Sequence, residues 1–185
     1  LPTVMCGRFT LYVPVPKLVD RFRLDEAPDF SPSYNIAPSE KSVVVGENPR
    51  TDRRTAVRMT WGLIPHWAES PEDFSANLIN ARSETIDEKP SFRDSFQNRR
   101  CVVPASGFYE WKSTDSGKTP YYVYPEDEDC FAFAGVWDRW TDESGERSLM
   151  TFSILTRSPN RTMERIHDRM PLLLGEEERE RGLDP

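Results

Sequence analysis

At 185 residues, with no apolar run long enough to cross a bilayer, the chain suits one domain with a sizeable core and excludes a transmembrane helix. Asp and Glu total 31 against 24 Lys and Arg, and the resulting net charge of −7 excludes a generally basic nucleic-acid binder. Only five of the cations are lysines, so the positive charge is mostly arginine, the residue suited to forked phosphate contacts on a locally basic groove.

Leu1 to Met5 lack the charged flank and apolar stretch of a signal peptide, and the expected location is cytoplasmic. After Pro14 and Pro16, the spacing of Leu18, Val19 and Phe22 predicts a short helix over Lys17 to Arg23. Asp25 to Pro38, with three prolines, reads as an ordered surface loop. Val43 to Val45 and Ala56 to Leu63 read as strands joined by a polar turn, Glu47 to Arg54. Phe92 and Phe96 mark a helix over Ser91 to Arg99. Strand patterns follow at Cys101 to Val103, Tyr121 to Tyr124, Phe131 to Trp137 and Leu149 to Leu155. Asn160 caps a predicted helix running through Met163 and Ile166 toward His167. Leu172 to Leu174 reads as a strand, and Glu176 to Arg181 as a solvated helix. Strands outnumber helices without alternating with them, so the expected fold class is α+β. The expected architecture is a single compact domain with a β-rich, mostly antiparallel, barrel-like core and peripheral helices.

The chemistry-bearing residues are few. Cys6, Cys101 and Cys130 are odd in number and form no CxxC pair, which favours free thiols over a disulfide framework. His66 and His167 complete no ligand spacing with them, so neither a metal nor another cofactor is expected. In Met5-Cys6-Gly7-Arg8-Phe9, removal of everything through Met5 would leave Cys6 with an amine and a thiol on adjacent carbons. The amine has an ordinary pKa of about 7.7–8.0 and the thiol about 8.5, so both are partly nucleophilic at neutral pH. An amine condenses with an aldehyde to an imine, and the neighbouring thiol closes a five-membered ring at high effective concentration. A buried cysteine early in a strand explains the same residues without chemistry.

Phe108-Tyr109-Glu110-Trp111 sets a carboxylate among large rings, where burial raises its pKa toward acid–base use; an exposed strand glutamate is the alternative. Ile79-Asn80-Ala81-Arg82 places an amide and a guanidinium two apart, on one side if extended, though a turn asparagine is the ordinary reading. His167 precedes Asp168, Arg169 and Pro171 and suits a general acid, or a structural histidine. Arg169 is a phosphate-clamp candidate, or simply the partner of Asp168. Trp61 and Trp67 flank a turn and suit base stacking or, equally, a core ring and a surface ring. Tyr34-Asn35-Ile36-Ala37-Pro38 reads as a tight turn or a backbone-contacting loop.

In this order, the motifs around Cys6, Asn35, Trp61, Asn80, Glu110 and His167 closely resemble the SOS response-associated peptidase family, also described as abasic-site-processing proteins. The resemblance runs from Met5 to about Leu174. It implies one SRAP-like domain over residues 1–185, with residues 1–4 read as leader or gene-start residues and a C-terminal end shorter than the family leads one to expect. It further implies a covalent cross-link to abasic sites in single-stranded DNA, made by a monomer without membrane or cofactor. By the same resemblance, Cys6 is the nucleophile that forms a thiazolidine, Asn80 positions amine and sugar, Glu110 transfers protons and His167 is the acid near the leaving oxygen. Arg8, Arg82 and Arg169 are implied phosphate contacts, with Asn35, Pro38 and Trp67 on the DNA-binding surface. Self-removal of a short leader belongs to the same implication. A thiol peptidase pairing Cys6 with His167, and a non-covalent reader of modified or single-stranded DNA, are the competing readings.

Overall fold

The computed structural model describes residues 6–48, 51, 53–74 and 78–181. In chain order the strands are β1 (Arg8–Leu11), β2 (Ser33–Ile36), β3 (Lys41–Asn48), β4 (Arg53–Trp61), β5 (Asn80–Arg82), β6 (Arg100–Ala105), β7 (Gly107–Thr114), β8 (Gly117–Val123), β9 (Phe131–Thr141), β10 (Ser148–Arg157) and β11 (Met170–Pro171). The helices are α1 (Val15–Phe22), α2 (Arg93–Asn98) and α3 (Glu176–Arg181).

Two sheets carry the fold. One is four-stranded and wholly antiparallel, in the order β2-β1-β7-β8. The other runs β11-β10-β4-β3-β6-β9, and a further β9–β10 pairing closes β4, β3, β6, β9 and β10 into a five-stranded barrel. Closure leaves those five strands with partners on both sides. The β10–β4 and β10–β5 pairs are parallel and the other pairs are antiparallel, so the α+β, mostly antiparallel, barrel-like expectation holds. Gly135 makes the closure possible where β6, β9 and β10 meet: a Cβ there would stand 2.9 Å from the Cys101 Sγ and 3.1 Å from the Ser153 carbonyl oxygen.

One core joins the two sheets. Phe9 of β1 meets Trp61 of β4 edge-on at 5.1 Å, and Phe108 of β7 meets Phe133 of β9 at 5.9 Å. All four rings are fully buried, and burying each contributes roughly 1.5–3 kcal/mol. Trp61 is thus a core ring, its indole N–H donating to the Ile79 carbonyl at 2.9 Å. Helix α1 packs Leu18 and Phe22 inward, four residues apart, and ends where Arg23 turns left-handed at φ 53°.

Several local expectations change. The Asp25 to Pro38 stretch contains β2, because pairing of Phe9 with Ile36 supplies backbone partners that composition could not reveal. The helix after Asn160 is a single 3-10 turn, Met163–Arg165, with Thr162 at its N-cap position; the Asn160 Oδ1 accepts the Met163 N–H at 3.0 Å from outside the turn. The strand expected at Leu172 to Leu174 is shifted to Met170–Pro171, with Leu173 bridging to Phe133. Helix α3 is not wholly solvated: Arg179 is buried over the Phe22 ring. Among the described residues no helix is long and apolar enough to cross a membrane.

Candidate active site

The site begins with a register. Strand β1 runs antiparallel to β7 with Arg8 opposite Tyr109. Along β7 the period of two buries Phe108 and Glu110 while Tyr109 and Trp111 stay partly exposed. Glu110 is therefore a core-facing carboxylate, 1 % exposed, where the sequence left an exposed strand glutamate open. The chain entering β1 brings the Cys6 backbone nitrogen to Glu110, where it donates to Oε2 at 3.1 Å. The Trp111 N–H donates to Oε1 at 3.1 Å, so both carboxylate oxygens are held.

Burial pushes the Glu110 pKa above the usual carboxylate value, opposed by those two N–H groups and by the nearby charge of His167. Cys6 is fully buried, and burial, followed by the Glu110 charge, drives its thiol well above the usual range. A thiol and a carboxyl whose pKa values are both raised by burial thus share one enclosed place. Cys6 also has φ 38°, in the left-handed region that non-glycine residues enter at a cost of about 1–3 kcal/mol.

The second element of the site is the segment before β11. The His167 side chain is 8 % exposed, and Asp168 beside it is 88 % exposed. The Nδ1 of His167 has two neighbours: the Arg169 backbone N–H at 3.2 Å and the Asp168 Oδ1 at 2.8 Å. A backbone N–H only donates and a carboxylate only accepts. The neutral ring with its proton on Nε2 therefore uses the first, and the ring with a proton on Nδ1 uses the second. Each protonation state has a partner, as a proton-transferring residue requires.

Arg169 does not pair with Asp168. Its guanidinium takes Glu84 in a two-pronged ion pair, with Nη2–Oε2 at 2.8 Å, and Nη2 also donates to the Thr156 carbonyl at 2.8 Å. Arg169 holds Glu84 at a pKa of about 2. Asn80 and Arg82 lie on β5, in parallel register with Ile154 and Thr156 of β10; Asn80 is half-buried and Arg82 exposed.

The remaining DNA-surface candidates divide. Arg8 and Asn35 come together across β1 and β2, the Arg8 Nη1 donating to the Asn35 Oδ1 at 2.9 Å. Pro38 is half-buried in the turn leaving β2. Trp67 is 50 % exposed on the turn after β4, edge-on to Phe74 at 5.4 Å. Its neighbour His66 belongs to a separate cluster, with Nδ1 3.0 Å from the Asp138 Oδ2. Among the described residues no group of His, Cys, Asp and Glu is arranged to hold a metal ion.

The sequence model of the SOS response associated peptidase (SRAP) family matches residues 5–185. The chain belongs to the SRAP family. It is 40 % identical over 185 residues to the abasic site processing protein YoqW of Bacillus subtilis, spanning 98 % of this chain and 81 % of that protein. It is 33 % identical over 190 residues to the abasic site processing protein HMCES of Xenopus tropicalis, spanning 88 % of this chain and 57 % of that one. A crystal structure of a Bacteroides thetaiotaomicron protein superposes with a TM-score of 0.88 at 31 % identity, covering 97 % of this chain and 82 % of the other.

In this SRAP chain two partners of Arg169 escaped sequence reasoning. Glu84 lies two residues beyond the Asn80–Arg82 motif, and its pairing with Arg169 spans 85 positions. Thr156, which binds the same guanidinium, sits in a strand with no motif at all. Their only sequence signal is polarity beside the ends of apolar strands.

Proposed function

We propose that this SRAP chain processes abasic sites in DNA through a Cys6 whose nitrogen has been freed by removal of the residues before it. The observation that carries this reading is the 3.1 Å contact between the Cys6 nitrogen and the Glu110 carboxyl. A carboxyl with a raised pKa, in hydrogen-bond reach of that nitrogen, can protonate a departing amine and later take a proton from it. The names of the relatives, abasic site processing proteins, point the same way.

In the unprocessed chain the nitrogen is a peptide nitrogen. Hydrolysis adds water to the Met5 carbonyl, breaks the Met5–Cys6 bond and leaves the Cys6 amine, with Glu110 supplying the proton. The left-handed φ of Cys6 supports this step, since that torsion exists only while a residue precedes Cys6. The freed amine then attacks the C1′ aldehyde of the opened deoxyribose; the carbinolamine loses water to an imine. The S–H bond adds across C=N, sulfur to carbon and hydrogen to nitrogen, giving a thiazolidine with one water lost overall. His167, with a partner for Nδ1 in either protonation state, is assigned the acid that protonates the leaving sugar oxygen. Asn80 is assigned to orienting amine and sugar. Arg8 and Arg82 are assigned to phosphates, and Asn35, Pro38 and Trp67 to the single strand, whose bases stack on exposed rings for about 1–3 kcal/mol each.

The thiol-peptidase reading needs a thiolate paired with a base, whereas burial keeps the Cys6 thiol protonated and Glu110, not His167, meets Cys6. The test uses protein beginning at Cys6 and a single-stranded oligonucleotide with one abasic site, resolved on a denaturing gel. The expected result is a heat-stable shifted band that is absent with Cys6→Ala and absent when Met5 is retained by a blocked cleavage site. Native-gel binding without any covalent band would replace this reading by the non-covalent reader.

A further inference from the structure

The Arg169 guanidinium is engaged within the fold by a carboxylate and by a strand residue. The Arg169 side chain is 15 % exposed, both terminal nitrogens meet Glu84, and one also meets the carbonyl and, at 3.2 Å, the hydroxyl of Thr156. Thr156 is flanked on one side by Arg82 of β5 and on the other by Pro171 of β11. Its carbonyl oxygen also accepts the Ser83 N–H at 2.9 Å, and its hydroxyl donates to the Ala81 carbonyl at 3.3 Å. The guanidinium therefore crosses β10 and ties the segment carrying His167 to the segment carrying Asn80 and Arg82. The same residue's backbone N–H is the donor at the His167 Nδ1.

We propose that Glu84 and Arg169 form a latch whose purpose is positional: it fixes the His167 ring and its tautomer, and Glu84 is a positioning residue for the reaction. This rests on the reading of His167 as the acid. The segment around His167 has little regular structure: the preceding element is one 3-10 turn, whose Met163 carbonyl accepts the His167 N–H at 2.9 Å, and β11 has only two residues. A planar, bidentate pair suits such a task, because the fork fixes orientation as well as distance. With Glu84 ionised down to about pH 2, the latch stays closed across the physiological range. Displacing a reacting group by about 1 Å can cost of order 10²-fold in rate, so a latch remote from the substrate can matter as much as a contact.

The test has two readouts. Single-turnover cross-linking is followed with Glu84→Gln, alone and in a His167→Ala background, while non-covalent affinity is measured on an oligonucleotide carrying a tetrahydrofuran site, which has no aldehyde. The latch predicts that Glu84→Gln slows cross-linking about 10–100-fold, changes that affinity less than about twofold, and loses its effect once His167 is absent. Arg169→Lys, which keeps charge but not the fork, should behave like Glu84→Gln. The second readout is ring nitrogen NMR of His167, assignable because the chain has two histidines and His66→Gln removes the other. The neutral ring should carry its proton on Nε2 in the parent protein and become a tautomer mixture in Glu84→Gln. An unchanged rate and unchanged ring spectrum, or an equal effect with and without His167, overturns the latch. A salt-sensitive loss of affinity in Arg169→Lys with the ring spectrum unaltered makes Arg169 a phosphate contact instead and also overturns it. Absence of cross-linking in the parent protein sinks the abasic-site reading, and the ring spectrum then still decides the latch.

Discussion

The two histidines stand beside aspartates in opposite ways. At His66 the aspartate is the buried partner: the Asp138 side chain is 4 % exposed while that of His66 is 47 % exposed. Asp138 accepts from the His66 and Arg139 backbone N–H groups, from Ser95 Oγ and from His66 Nδ1, and lies 3.1 Å from the Arg99 Nε. At His167 the imidazole is the buried partner and the aspartate stands in water. On the proposed function, the difference separates a structural hub from a proton-transferring group. A buried carboxylate ringed by donors holds the turn after β4 against β9 and α2. A buried imidazole with one exposed acid and one backbone donor is free to change its proton.

The largest expected effect comes from breaking the hub. Asp138→Ala leaves the His66 and Arg139 backbone N–H groups and the Ser95 hydroxyl without their acceptor, while Arg99 keeps Asp94, and should cost about 3 kcal/mol in urea unfolding. Its cross-linking rate per folded molecule should stay near that of the parent. Next comes the chemical histidine: His167→Gln should slow cross-linking by about 10²-fold while changing unfolding stability by less than about 1 kcal/mol. If both substitutions mainly lower stability, the contrast between the two pairs fails.

Glu110 gives a third, smaller effect in the pH dependence of stability. Its folded pKa lies above the unfolded value of about 4.3, so between the two the folded state holds more protons. Its contribution is complete below the unfolded value and is lost as pH rises through the folded one. Glu110→Gln should therefore abolish a fall in stability that the parent shows on going upward from about pH 4.3, with no further divergence above the folded pKa. Smallest is Asp168→Asn: an exposed partner is screened by water, so stability should change by less than about 0.5 kcal/mol.

Much of this arrangement was legible in the sequence, and the rest fails for definable reasons. The strands of the barrel follow from apolar runs such as Val43 to Val45 and Phe131 to Trp137, because burial on both faces leaves little else to encode. Strand β2 was not legible: Ser33 to Ile36 is polar and lies among prolines, and only the partner strand makes it extended. Cys6, Glu110 and His167 were picked out by residue type and neighbours. That Glu110 meets the Cys6 nitrogen needs the β1–β7 register, set by residues about 100 positions apart. The pairing of Arg169 with Glu84 was not legible, whereas its reading as a phosphate contact rests on its type and its place beside His167. Its carboxylate partner is distant in sequence, and local reasoning offered Asp168 instead.

The central claim is that the Cys6 amine and thiol both bond to one sugar carbon, with Glu110 beside them. Intact-mass measurement of the adduct between Cys6-initiated protein and an abasic oligonucleotide tests it most directly, before and after borohydride. A thiazolidine gives the summed mass less one water and is unchanged by borohydride, whereas an imine of the same mass gains two hydrogens. The account predicts the unchanged mass in the parent protein and a reducible imine, at most, in Cys6→Ser. A parent adduct that borohydride reduces, or a mass equal to the sum without loss of water, would contradict it.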